Sequence, residues 1–275
     1  MCYNALMDLI SPKYIKELLS KHQTRPSRGL GQNFLIDKNT LDKIITSADI
    51  KSDGQILEVG PGIGTLTQEL AKKAKKVVAV EKDKIMVEIL KETLKEFNNV
   101  EIIQGDILKF KNPFSEKYKV IANIPYYLTS PLIRKFLEEK NPPEEIVLMI
   151  QKEVAQRICS KPPNMSLLAV SVQFYAEAKI ISFVSKNCFW PSPKIDSAII
   201  KITPKKKYDI SAALFFQIVK AGFLHPRKQL SNNMSEGLKL NKQQANLLLE
   251  KNGLTPLQRA ETLSLQDWVN LAKTF

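Results

Sequence analysis

Apolar positions along the chain change period several times, and each change marks an element. The runs at 55–59 (QILEV), 76–81 (KVVAVE), 100–104, 119–122 and 145–150 are short and mostly apolar, and read as strands. Between them, 65–73, 83–97 and 130–140 carry apolar residues on one helical face. Strands alternating with amphipathic helices predict βαβ units and a mostly parallel sheet, a Rossmann-like α/β fold. Upstream, Ser11-Pro12 before Tyr14, Ile15, Leu18 and Leu19 reads as a capped helix start, and a second helix falls near 37–48. The basic, glycine-containing stretch 24–35 between them is expected to be an exposed functional loop. Downstream, 167–175 is apolar throughout and its period fits helix or strand, whereas 179–184 and 195–202 read as strands closing the sheet with a hairpin at its edge. Thr203-Pro204-Lys205-Lys206-Lys207 breaks the pattern, and 212–221, 224–238, 242–251 and 265–272 are helical by period. The expectation is therefore an α/β domain over 1–204, with an N-terminal helix and loop, and a small all-helical domain over 205–275.

Composition narrows the partners. With 44% hydrophobic and 25% charged residues the chain has enough apolar matter for a packed core. Its 41 Lys+Arg against 28 Asp+Glu leave a net charge of +13, which favours a polyanion such as nucleic acid or an anionic membrane surface. Residues 200–275 hold 12 Lys/Arg and 5 Asp/Glu, over half the surplus, so the C-terminal part reads as an electrostatic landing surface. No stretch approaches the ~20 apolar residues of a membrane span, and the N-terminus lacks the pattern of a secretory signal. Cys2, Cys159 and Cys188 are far apart and in no CxxC pair, which fits a reducing cytoplasm and argues against a disulfide framework or zinc site. With only His22 and His225 besides, no bound metal is expected. Met7, close behind Met1, leaves the translation start open.

The chemistry gathers at strand ends. Leu57-Glu58-Val59-Gly60-Pro61-Gly62-Ile63-Gly64-Thr65 runs an apolar strand into a glycine turn and a helix, the crevice where open α/β sheets take a nucleoside. The spacing is Gly-x-Gly-x-Gly, and Pro61 has no N–H to offer a pyrophosphate, which points away from NAD. Glu81 ends the second strand about 20 residues on, where a carboxylate accepts from ribose hydroxyls. Asp106, after the third strand, is a candidate acceptor for an adenine amino group.

Asn123-Ile124-Pro125-Tyr126 follows the strand at 119–122. The exocyclic amine of adenine is a poor nucleophile because its lone pair is delocalised into the ring, so methylating it calls for acceptors that hold its hydrogens and favour a more tetrahedral nitrogen. The Asn123 side-chain oxygen and the Ile124 carbonyl are adjacent candidates; Pro125 fixes the turn and Tyr126 stacks on an extruded base. Phe189, beside the proline-rich turn, is either a second stacking aromatic or a core residue. Arg25 and Arg28 flank the loop expected over the cleft.

Taken together, Gly31-Gln32-Asn33-Phe34-Leu35, the glycine turn, Val80-Glu81, Gly105-Asp106, Asn123-Ile124-Pro125-Tyr126 and Pro191-Ser192-Pro193-Lys194-Ile195-Asp196-Ser197-Ala198 resemble the KsgA/RsmA family of small-subunit ribosomal RNA adenine N6-dimethyltransferases, from Pro26 onward. The resemblance implies that S-adenosyl-L-methionine is held by Asn33, Leu35, Gly60, Glu81, Asp106 and Asn123, with Gln32, Gly62, Lys82 and Ile107 beside them. It implies four methyl transfers to two adjacent adenosines near the 3' end of small-subunit rRNA, by a monomer acting on a pre-mature small ribosomal subunit, with Arg25, Arg28, Arg227 and Lys228 on the RNA. Two positions depart from the family: Pro226 stands in Leu224-His225-Pro226-Arg227-Lys228 where paired arginines are frequent, and Tyr127 replaces a smaller polar residue. Large-subunit methyltransferases that confer macrolide resistance share the Asn-Ile-Pro-Tyr form, and a non-catalytic assembly or transcription factor on the same fold is the further alternative.

Overall fold

The computed structural model describes residues 8–205 and 208–275; Cys2, Lys206, Lys207 and the choice between Met1 and Met7 lie outside them. In chain order the elements are α1 (Pro12–Lys21), β1 (Phe34–Leu35), α2 (Lys38–Ser47), β2 (Gln55–Val59), α3 (Thr65–Ala71), β3 (Lys76–Glu81), α4 (Lys84–Thr93), β4 (Val100–Gln104), β5 (Lys119–Asn123), α5 (Thr129–Glu138), β6 (Glu145–Gln151), α6 (Lys152–Ile158), α7 (Leu167–Tyr175), β7 (Ala176–Val184), β8 (Phe189–Trp190), β9 (Ser197–Pro204), α8 (Ala212–Gly222), α9 (Leu230–Leu238), α10 (Lys242–Lys251) and α11 (Leu265–Thr274).

Two compact units result. One runs through Ala155 and resumes at Lys179–Pro204; the other comprises Gln156–Ala178 and Lys205–Phe275. The single division expected at 204 is thus corrected: the chain leaves the first unit at 156, returns at 179 and leaves again after Pro204. The reason is tertiary. The ambiguous run 167–175 is a helix, started by Ser166 Oγ accepting from Ala169 N, and its Ala169, Val170 and Phe174 are buried with Phe215, Ile218 and Trp268 of the second unit's core.

In the first unit seven strands form one sheet in the order β4-β3-β2-β5-β6-β9-β7. The pairings β3–β4, β2–β3, β2–β5 and β5–β6 are parallel. β9 runs antiparallel to β6 from Gln151↔Ser197 to Ile146↔Ile202, and β7 closes the edge. The helix starts follow their caps: Asp37 Oδ1 accepts from Thr40 N at 2.7 Å, and Asp83 Oδ1 from Ile85 N at 2.9 Å. α4 stops at Thr93, four residues short of the expected end, because Thr93 is tied sideways: its hydroxyl donates to Ile63 O at 2.9 Å and its carbonyl accepts from Gln68 Nε2. Two elements had no clear period: α6, and the short antiparallel pair of β1 with β8, Phe34↔Trp190 and Leu35↔Phe189.

In the second unit α7, α8, α9, α10 and α11 enclose a core around Phe215, Leu230, Met234, Leu249 and Trp268. The helix expected over 224–238 begins only at Leu230. Pro226 disfavours helix at His225 and lacks an N–H, and Asn233 Nδ2 donates to the carbonyls of Gly222 (2.7 Å) and His225 (3.0 Å), which holds 222–229 as a turn.

Candidate active site

The strand order reverses between β2 and β5: β2 leads to β3 and β4 on one side, β5 to β6 on the other. Side chains from both halves meet in a cleft at the carboxyl ends of these strands, the position such a reversal opens. Gln32, Asn33, Leu35, Gly60, Gly62, Glu81, Lys82, Asp106, Ile107, Asn123, Ile124, Pro125, Tyr126 and Phe189 all line it. These residues span 157 positions of sequence, and the fold brings them to one place.

On the β2–β4 side the floor is the glycine turn. Gly60 and Gly62 hold φ of +63° and +60°, a region closed to most side chains, and a Cβ on Gly62 would sit 3.3 Å from the Phe34 ring. Glu81 is buried against this turn. Its Oε2 accepts from Gly62 N at 3.1 Å and its Oε1 from Asp83 N at 2.8 Å; burial raises its pKa while these donors act against the rise. Asp106 has the opposite balance: the Leu108 N–H at 3.0 Å and the Lys82 ammonium at 3.1 Å hold its pKa below the usual range. A Cβ on neighbouring Gly105 would meet nothing within 4 Å. The cleft therefore has room for a ligand beside the carboxylate.

On the β5 side, Asn123 ends its strand and donates Nδ2 to Asn33 O at 3.4 Å, so its side-chain oxygen is left to accept. Pro125 turns the chain into a short 3-10 helix over Tyr126–Leu128, with Leu128 N on Pro125 O and Thr129 Oγ1 on Tyr126 O, both at 3.0 Å. The Tyr126 hydroxyl lies 2.9 Å from Ser197 Oγ at the start of β9. Burial raises the phenol's pKa, so the ring is neutral at ordinary pH. Phe189 is 4% exposed, packs in the core and also lines the cleft.

The stretch 24–35 reaches the cleft through Gln32, which accepts from Ser27 N and donates to Asp83 Oδ2, both at 2.8 Å. Arg25 and Arg28 are exposed in it, outside the lining. Arg227 and Lys228 are exposed in the turn before α9 of the second unit, and Lys228 pairs with Glu236 at 3.2 Å. Three residues take on a place in the site that sequence reasoning does not give them: Tyr127 stands out there only as a departure from the family, and Ser197 and Glu58 only as members of motifs. Tyr127, half-exposed, lines the cleft mouth. Ser197 emerges only from a contact 71 positions long. Glu58 is 1% exposed, and its Oε2 has no hydrogen-bond partner among the described residues; burial pushes its pKa up to about 8. The available signal was an acidic residue inside an otherwise apolar strand.

The model of a family described as ribosomal RNA adenine dimethylase matches residues 22–275. The chain belongs to that family. Among its relatives, the ribosomal RNA small subunit methyltransferase A of Alkaliphilus oremlandii is 44% identical over 97% of this chain and 98% of its own length. The protein of the same name from Dehalococcoides mccartyi is 41% identical over 94% and 92%. Among solved structures, a dimethyladenosine transferase from Plasmodium falciparum is 30% identical, with a TM-score of 0.76 over 86% of this chain and 95% of that one. The 23S rRNA methyltransferase ErmE is 26% identical, with a TM-score of 0.73 over 88% and 99%. The chain is thus a class I methyltransferase by fold and a methyltransferase by family. Among the described residues no group of three His, Cys, Asp or Glu side chains is placed to hold a metal ion, and no helix is long and apolar enough to cross a membrane.

Proposed function

We propose that this protein transfers methyl groups from S-adenosyl-L-methionine to the N6 amines of two adjacent adenosines near the 3' end of small-subunit ribosomal RNA, within a pre-mature small ribosomal subunit. The observation that carries the reading is the convergence of Asn123, Tyr126, Glu81 and Asp106 on one cleft.

The cleft fits the cofactor on its own chemistry. Glu81 and Asp106 retain free lone pairs for ribose hydroxyls and an adenine amine, a Cβ on Gly105 beside Asp106 would meet only open space, and Glu58, which burial keeps largely protonated at neutral pH, adds no charge to the lining. When bound, S-adenosyl-L-methionine supplies a methyl group already activated on a sulfonium. The protein supplies position and electrostatics. The Asn123 side-chain oxygen and the Ile124 carbonyl accept the two N6 hydrogens, which directs the nitrogen lone pair toward the methyl. Tyr126, neutral and anchored through Ser197, stacks on the base. Alkylation leaves the nitrogen cationic and its protons acidic, so one passes to water after each transfer, and Asn123 and Ile124 need no strong base beside them. After one transfer a single N–H remains for the same acceptors.

The two relatives cited above that carry a small-subunit name are 41% and 44% identical to this chain, whereas ErmE stands at 26%. The deciding experiment incubates the protein with S-adenosyl-L-methionine and small subunits lacking adenine dimethylation, followed by mass spectrometry of the digested rRNA. Dimethyladenosine at two adjacent positions is expected; product only on protein-free large-subunit rRNA moves the activity to the resistance class, and no product on either supports a non-catalytic binding role.

A further inference from the structure

β7 is the edge strand of the sheet, beside β9 alone. Its alternate residues Glu177, Lys179, Ile181 and Phe183 face solvent, and Phe183 is 51% exposed. An aromatic ring held open on a sheet edge is not explained by packing, and here it is not alone: the Lys152 ammonium lies 5.1 Å above the ring. That lysine directly follows Gln151, the register partner of Ser197, and its backbone N donates to Asp196 O at 3.1 Å. Ser197 in turn holds the Tyr126 hydroxyl. These contacts link the exposed ring, through the buried Ser197, to the hydroxyl of Tyr126 in the cleft lining.

We propose that Phe183 and Lys152 form a second nucleotide site, a stacking platform for an unpaired base of the RNA next to the adenosine held at Tyr126. The inference rests on the RNA-substrate reading above. Single-stranded nucleic acid is gripped by aromatic faces interleaved with cations, because every base has a π-face and every step a phosphate. Phe183 provides the first, and Lys152 with Lys179 the second. In the free protein the ammonium covers part of the ring; on binding it turns to a phosphate and yields that face to the base. The occupant is a nucleotide rather than a protein segment because the cations at this edge, Lys152 and Lys179, outnumber its one acid, Glu177, and the whole chain carries +13.

The test compares Phe183→Ala, Phe183→Leu, Phe183→Trp and Lys152→Met with the wild type, measuring KM and kcat on undimethylated small subunits, the salt dependence of subunit binding, and S-adenosyl-L-methionine affinity. The alanine and leucine variants should raise KM about tenfold, the effect of losing one base stack, with kcat and cofactor affinity near wild type. Tryptophan should restore KM, and Lys152→Met should flatten the salt dependence by about one charge. An unchanged KM in Phe183→Ala overturns the platform, and so does a leucine variant equal to wild type, which would mark an apolar protein contact. Wild-type enzyme that yields no dimethyladenosine in small subunits removes the substrate reading itself; wild-type product with silent Phe183 variants removes only the platform.

Discussion

The hydroxyl of Ser197, fully buried, sits 2.9 Å from the Tyr126 phenol and fixes the angle at which that ring meets the cleft. Ser197→Ala deletes one neutral hydrogen bond, so kcat should fall several-fold, the equivalent of about 1 kcal/mol, with cofactor affinity intact. Because the effect runs through the phenol, adding Ser197→Ala to Tyr126→Phe should cost nothing further; additive losses would show a separate role. Glu58 gives a pH signature. Its carboxyl titrates near 8 in the fold against 4.5 in the open chain. Between those values the native state holds a proton that the unfolded chain has lost, so this group makes stability fall as pH rises from about 4.5 to 8 and leaves it level above. Glu58→Gln, which cannot ionise, should gain on the wild type across that window by on the order of a few kcal/mol, measured by denaturant titration at pH 5 and pH 9. A constant difference would show that Glu58 does not titrate there.

Elements are joined by groups that lie far apart in sequence. The carbonyl end of α2 is held by two lysines, Lys119 on the carbonyls of Ala48 (2.6 Å) and Asp49 (3.1 Å) and Lys201 on Ser47 (2.9 Å), and both ammoniums pair with Glu145. Glu145→Ala leaves two largely buried cations without a counter-charge and should cost about 2–3 kcal/mol in urea unfolding; a loss under ~0.5 kcal/mol would mean that the carbonyls alone suffice. In the second unit a Cβ on Gly237 would fall 2.6 Å from both Cα and Cβ of Ala221, so α8 and α9 touch backbone to backbone. Gly237→Ala should therefore destabilise by about 1–3 kcal/mol, although alanine is the better helix former, and melting temperature reads the sign. Along the chain this glycine simply falls inside a helical period; its packing reason lies on another helix.

At the scale of the molecule, charge is concentrated unevenly. The unit formed by 156–178 and 205–275 holds 13 Lys/Arg against 6 Asp/Glu, and the rest of the chain 28 against 22. Within it Arg227 has no acidic partner among the described residues, whereas Lys228 and His225 share Glu236, whose pKa they hold down. In salt titrations of subunit binding, Arg227→Ala should reduce the slope by about one and Lys228→Ala by less, because its charge is already compensated. Equal slopes for both variants and wild type would remove this turn from the RNA contact.

The sequence by itself determined the parallel strands, the glycine turn, the helix caps and the family, because each is carried by residues adjacent along the chain: an apolar period, a glycine triplet, an Asp two or three positions before its amide. The fold also made one cleft of the fourteen residues read as cofactor or base contacts. Only the tertiary structure decided that 156–178 joins the second unit, that helix α9 waits until Leu230, that β1 pairs with β8, and that Tyr126 leans on Ser197. Those outcomes depend on partners tens of residues away, and burial and hydrogen bonding between distant segments leave no local period to read.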